Sequence, residues 1–247
     1  MVTLDAMFPA VQKKRLLKAA ESRYACRAFA GALSTGDWAA MSYVAQRYAL
    51  PGARLMLLHV PESLFTGTLL NMGRVSGCTA VAAVIADSAV AKSRIHAGVL
   101  GEALCLEATA QGLGSCWISG TYRKKQLTTP LRDGEAVLAV IALGKPARRV
   151  QASRKRKPVE KFCRGNMMLW PAALRKVAEA VRLAPSAMNL QPVTMALEQG
   201  RFTFDAPDRA ALDLGIALCH GELAMDFPHA WHFAGTRKEP AAWVTQA

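Results

Sequence analysis

Acidic residues are scarce in this 247-residue chain: 18 Asp and Glu stand against 31 Lys and Arg, a formal net charge of +13. Long apolar runs are missing too. The longest, Val81 to Ala86 and Val137 to Leu143, are strand-sized and far short of the ~20 residues a membrane span needs. The N-terminal stretch has Asp5 early and Lys13-Lys14-Arg15 where the apolar core of a secretory signal would fall; the expectation is a cytoplasmic protein, without a membrane. No C-x-x-C pair occurs among Cys26, Cys78, Cys105, Cys116, Cys163 and Cys219. Most lie in apolar stretches, so reduced thiols packed as small hydrophobes are expected, not a disulfide framework. There is no G-x-x-x-x-G-K-[ST] phosphate loop and no G-x-S-x-G nucleophile elbow. Gly112-Leu-Gly114 would need its third dinucleotide-binding glycine where Trp117 stands, and it follows a helix, not a strand.

What is present describes a folded protein. Hydrophobic residues make up 52% and charged residues 20% of the chain, which excludes extensive disorder. The length allows one large domain or two small halves. The positive charge favours anionic ligands, such as phosphates, nucleic acid or an acidic surface.

Helix and strand patterns alternate. Val11 to Ser22 reads as a helix with Val11, Leu16, Leu17 and Ala20 on its apolar stripe. Leu33 to Asp37 carries N-cap chemistry for a helix running to Tyr48, and Leu50-Pro-Gly52 breaks it. Arg54 to Val60 and Thr79 to Ala86 are buried-strand candidates, with loop-like sequence between them. Ser93 to Gly112 is a long helix with Gly112 as its C-cap, and Glu135 to Leu143 a third strand. From Lys145 to Lys161 there are eight basic residues and one acid, a linker-like run dividing the chain into residues 1–150 and 151–247. Beyond it come a helix from Pro171 (at N1) to Ala184, a hairpin of Val193–Leu197 and Arg201–Asp205, and an amphipathic helix from Asp208 to Met225. The tail from Phe227 carries no clear pattern.

His229-x-x-His232 has helical spacing but no third ligand near it in sequence, so a surface or core pair is expected and no metal site. Cys219-His220 near Glu222 has nucleophile-like chemistry, yet the helix period puts Cys219 in the core.

Three segments carry more information. In Ser22-Arg-Tyr-Ala-Cys-Arg-Ala-Phe29, Arg23 and Arg27 suit a phosphate, because guanidinium offers a fork of donors; an exposed basic helix end fits equally well. In Ala184-Pro-Ser-Ala-Met-Asn-Leu-Gln-Pro192, Ser186, Asn189 and Gln191 cluster between two prolines, as a ligand loop or a self-satisfied turn. Gly112-Leu-Gly-Ser-Cys-Trp-Ile-Ser-Gly120 has glycines at both ends, allowing close approach of a flat ligand or simply a helix cap before a buried Trp117.

Together these segments resemble the nitroreductase family of flavin-dependent oxidoreductases. SRYACRAF is similar to its R-R-S-x-R-x-F motif, and APSAMNLQP to its A-P-S-x-x-N-x-Q-P loop. GLGSCWISG and VLAVIALGKPA are similar to its G-L-G-x-x-W-I and A-L-G-x-P segments, and Arg154-Lys-Arg-Lys-Pro158 to its K-x-R-x-P element. The order differs from the usual layout, because the polar loop comes last, past the basic run. That order resembles the single-chain TM nitroreductase branch. The resemblance implies an α+β, nitroreductase-like fold in which two halves form an intrachain pseudo-dimer of mixed, mainly antiparallel sheets wrapped by helices, with a monomer acting as pseudo-dimer.

The resemblance further implies FMN, NAD(P)H as electron donor, and a small-molecule acceptor such as a nitroaromatic, quinone or activated alkene. No catalytic side chain is implied, since the flavin carries the chemistry. Carried over by motif, Arg23, Arg27, Arg154 and Arg156 are basic cofactor-binding positions. Arg27 would stand near the pyrimidine edge, and Arg23, Arg154 and Arg156 near phosphate. Pro185, Ser186, Asn189 and Gln191 belong to the loop at ring and ribityl chain, and Trp117, Ile118, Ser119 and Gly120 would lie along the ring. Ala25 replaces the motif's serine and Tyr24 its second arginine, which bears on flavin affinity. The alternatives are a relative with altered or lost flavin chemistry, or a basic nucleic-acid binder; the basic run lacks the interleaved aromatics of the latter.

Overall fold

The computed structural model describes residues 3–65, 75–148, 155–234 and 241–246. Two sheets dominate. The first, in strand order β1-β2-β4-β3, is built from β1 (Ala53–His59), β2 (Ala80–Asp87), β3 (Gly114–Ile118) and β4 (Glu135–Gly144). The second, in order β5-β6-β7-β9-β8, uses β5 (Cys163–Arg164), β6 (Thr194–Glu198), β7 (Arg201–Asp205), β8 (His229–Phe233) and β9 (Ala242–Gln246). All named pairs are antiparallel except β5 with β6. With α1 (Ala10–Ser22), α2 (Thr35–Arg47), α3 (Ser93–Ala110), α4 (Ala172–Leu183) and α5 (Ala211–Ala224), the architecture is α+β, as expected. Apart from the edge strand β5, the second sheet repeats the strand order of the first.

Strand alternation explains why β2 and β4 read as continuous apolar runs. Ala82, Val84, Ile141 and Leu143 face the large core under α3. Val81, Val140 and Ala142 face a second core with Cys26, Phe29, Cys78 and Cys116. The extended segment 25–29 closes that second face. Ala25 bridges Ser115 on β3, Ala28 bridges Ser76, and Phe29 bridges Pro146. All six cysteines are free.

Helices α3 and α5 cross at their backbones. A Cβ on Gly215 would lie 1.9 Å from the Ile95 carbonyl oxygen, and one on Gly98 would lie 2.2 Å from that of Leu212. Only glycine permits this approach, and it brings the side chains of the two central helices into one core.

Several expectations need correction. Val11 is 86% exposed, while Gln12 faces inward in its place, because the buried side of α1 meets polar groups of α2 and α3. Pro171 is the N-cap of α4, one position before the N1 site expected. Trp117 lies on a strand, β3, within the segment read as a cap and a buried indole. The tail forms β8 and β9, so His229 and His232 are strand residues on opposite faces, not helix neighbours. Ser34 caps α2 in a full capping box with Asp37, as its turn chemistry suggested.

Candidate functional site

The loop 184–192 begins where α4 ends. The last four carbonyls of a helix have no intrahelical partner, and here each finds one. Ala180 O faces His220 Nδ1 at 3.1 Å, and Val181 O accepts the Ala184 N–H at 3.0 Å. Arg182 O accepts from Gln191 Nε2 at 3.4 Å, and Leu183 O from Arg156 Nη2 at 3.2 Å. A guanidinium at this end also complements the helix dipole.

The basic run and the loop are laced together further on. Arg156 donates to Asn189 Oδ1. Asn189 Nδ2 donates to Lys155 O at 2.8 Å, and the Lys157 N–H to Gln191 Oε1 at 3.0 Å. Lys157 Nζ reaches Leu190 O at 2.7 Å. Ser186 Oγ accepts the Gln191 N–H at 2.8 Å, and Asp213 of α5 accepts the Ala187 N–H at 3.0 Å. Burial pushes the Asp213 carboxyl up, only partly offset by that N–H. Met188, Asn189 and Gln191 have φ of 49°, 56° and 53°, a left-handed backbone that costs a non-glycine residue about 1–2 kcal/mol. Asn189 is exposed, and Pro185, Ser186 and Gln191 are half-buried. Beside them a hollow of about 270 Å³, counted to its open mouth, is lined by Phe162, Val181, Pro185, Ser186, Gln191 and Asp213.

The first-half residues form a second group. Ala25 and Arg27 lie exposed on segment 25–29, with Arg27 near the Cys116 thiol, whose pKa burial nonetheless raises. Arg23 turns inward. Its Nε lies 3.4 Å from Glu102 Oε1, an ion pair between side chains 6% and 0% exposed. Trp117 packs its ring over Gly101, where a Cβ would meet the indole at 2.2 Å, and donates its Nε1–H to Glu102 Oε2 at 2.9 Å. Ile118 is buried, and Ser119 and Gly120 are exposed just beyond β3. Arg154 lies outside the described residues.

The structure thus brings Arg156, Ser186, Asn189 and Gln191 together around one helix end. It joins Arg23 to Trp117 through Glu102, a residue sequence reasoning passed over. Nothing local marks Glu102, since its partners are 15, 79 and 118 positions away. A carboxylate set between the small and apolar runs Ala97–Gly101 and Ala103–Leu106 was the available signal. His220 Nε2 meets the same carboxylate at 3.0 Å. Among the described residues no group of His, Cys, Asp and Glu is arranged to hold a metal, and no helix is long and apolar enough to cross a membrane.

Comparison with solved structures finds a similar architecture in the "putative nitroreductase" of Thermotoga maritima. It has 22% identity and a TM-score of 0.66, with 93% of this chain and 92% of that one covered. A protein from Parabacteroides distasonis described as a putative NADH dehydrogenase/NAD(P)H nitroreductase has 15% identity and a TM-score of 0.50, covering 62% of this chain and 98% of its own. A Desulfovibrio desulfuricans structure in complex with FMN has 20% identity and a TM-score of 0.49, covering 63% and 98%. No curated protein matches the chain. The sequence pattern of the family described as "Putative TM nitroreductase" matches residues 16–225, most of the chain, and with the α+β architecture above it follows that the protein belongs to this family.

Proposed function

We infer that the protein is an FMN-dependent oxidoreductase. It takes electrons from NAD(P)H and passes them, in ping-pong fashion, to a nitroaromatic, quinone or similar acceptor. The observation that carries this reading is the bonding of the basic run to the APSAMNLQP loop at the end of α4, in a chain of the TM nitroreductase family. The repeated strand order supports a chain that acts as its own pseudo-dimer, with residues 1–150 and 151–247 as its halves.

The donor set suits FMN. A phosphate and an electron-rich ring edge both call for fixed cations and N–H donors. Arg27 and Lys157 are exposed guanidinium and ammonium groups, while Arg156 is bonded to Asn189, which stands on a loop with left-handed backbone. Arg27 would face the ring's pyrimidine edge, with Arg154 and Arg156 near the phosphate and Asn189 and Gln191 at the ring and ribityl chain. When bound, FMN supplies the hydride chemistry. The chain's own residues bind it, orient it and hold positive charge near it.

A second reading, a relative with altered or lost flavin chemistry, is favoured by Arg23. Its guanidinium is engaged by Glu102, and Ala25 offers no hydroxyl beside it. Visible absorption of the purified protein before and after adding FMN, and then NAD(P)H, separates the two. Flavin absorbance retained through desalting and bleached by NAD(P)H supports the oxidoreductase. A colourless protein that takes up no FMN supports the second reading.

A further inference from the structure

We propose that Glu102 is a positioning residue that latches the first-half arginine and tryptophan to the helix end carrying the loop 184–192. Its two carboxylate oxygens are fully buried and meet two hydrogen-bond partners, Trp117 and His220, and one cation, Arg23, which pairs by charge at 3.4 Å without a hydrogen bond. Oε2 takes the Trp117 indole N–H, and Oε1 faces both His220 Nε2 and Arg23 Nε. The opposite nitrogen of His220 spans to Ala180 O in the last turn of α4. The Ala180 carbonyl can only accept, so Nδ1 carries hydrogen there. Nε2 then meets Glu102 as an imidazolium donor, or accepts a proton from it; either way one proton lies between the two residues. The chain of contacts therefore runs from Arg23 and Trp117, through Glu102 and His220, to the helix end that Arg156 and Gln191 also cap.

The chemistry argues for positioning over bulk stability. Burying a carboxylate, an imidazole and a guanidinium together costs desolvation that their mutual attraction does little more than offset. What such a group does supply is direction, because the Trp117 and His220 bonds fix the angles of those rings and the buried charge holds Arg23 beside them. Glu222 on α5 provides an internal control. It is equally buried, and it too takes an indole N–H (Trp231, 2.7 Å), an imidazole (His229, 2.8 Å) and a cation (Lys13, 2.5 Å). None of those three partners belongs to the candidate site.

The latch stands on this geometry; its consequence for a flavin rests on the function inferred above. The test compares the full-length parent with Glu102→Gln and Glu222→Gln by amide hydrogen exchange, without ligand, and by FMN titration. Glu102→Gln is expected to speed exchange of the Ser186–Gln191 amides about tenfold and to weaken FMN binding about ten- to a hundredfold. Glu222→Gln should leave both within about twofold of the parent. Parent-like exchange of this loop in Glu102→Gln, or equal acceleration by Glu222→Gln, overturns the latch. If Glu102→Gln fails to fold, His220→Gln replaces it: Arg23 and Trp117 keep their carboxylate, the link to α4 is cut, and unchanged loop exchange is again fatal. A loop that responds in a parent that takes up no FMN sinks the flavin reading and leaves the latch. FMN uptake with an unresponsive loop does the reverse.

Discussion

Two connections hold the same place in sheets of like strand order: residues 48–52 lead from α2 into β1, and residues 184–193 from α4 into β6. The first is sealed. Tyr48 is buried, accepts from Gln12 and donates to Glu107 Oε1 at 2.8 Å, while Arg47 reaches Gln12 Oε1 at 2.9 Å. Burial, then the Glu107 charge, pushes the Tyr48 hydroxyl far up, so it stays a neutral donor. Apolar Leu50-Pro-Gly follows. The second connection is open, polar and held in a left-handed backbone at three non-glycine positions. One helix-to-strand connection is anchored in the core by Tyr48 and Leu50 and the other carries the candidate site, which teaches that topology supplies a place and side chains decide its use.

The comparison breaks most severely at the crossing of the central helices. Gly215→Leu forces a side chain against the Ile95 carbonyl and should cost about 3 kcal/mol, read as a lower urea midpoint. Next comes the contrast between the two helix ends. Arg156→Ala removes a charge-assisted donor from the open connection and should weaken FMN binding by about 1.5–3 kcal/mol. Arg47→Ala, at the sealed end, should leave FMN titrations unchanged.

Acid should act on the two connections with opposite sign. Just past the sealed one, Arg54 forks onto Glu135 at 2.8 and 2.7 Å. That bond, helped by the Arg132 N–H, brings Glu135 from its ordinary 4.5 down to about 2. A lowered carboxylate pKa contributes stability above the ordinary value, lost as pH falls from 4.5 towards 2. Glu135→Gln should flatten thermal melts over that window. Asp213, beside the open loop, is raised above its ordinary 3.8, so its charged form opposes folding at neutral pH. Asp213→Asn keeps the acceptor for Ala187 and should raise the neutral-pH melting temperature while reducing the gain on acidification. The smallest effect expected is that of Met188→Gly, which relieves a left-handed backbone and should stabilise by about 0.5–1 kcal/mol in chemical denaturation.

Much of this was legible before any coordinates. The box from Ser34 to Asp37, the apolar run of β2, the hairpin around Gln199-Gly200 and the polar loop between Pro185 and Pro192 are short-range patterns, and each lies where its chemistry predicted. β3 stayed hidden because its glycines and Trp117 read as a cap. β8 stayed hidden because its two histidines obscure the alternation, and β9 because it is only five residues long. Val11 and Gln12 exchanged roles because a polar residue can be buried when distant Tyr48 and Glu107 satisfy it.

By itself, the amino-acid order determined the five helices, the strands β1, β2, β4, β6 and β7, the Ser34 cap, the family motifs and the charge that seeks an anion, since all depend on neighbours within a few turns of chain. Only the folded molecule decided that Arg23 turns inward to Glu102, that Arg156 caps α4 beside Asn189, and that His220 joins the two groups. Those contacts bridge 27 to 118 positions, and which of many possible partners meets a buried charge is settled by the crossing of α3 and α5, not by local spacing.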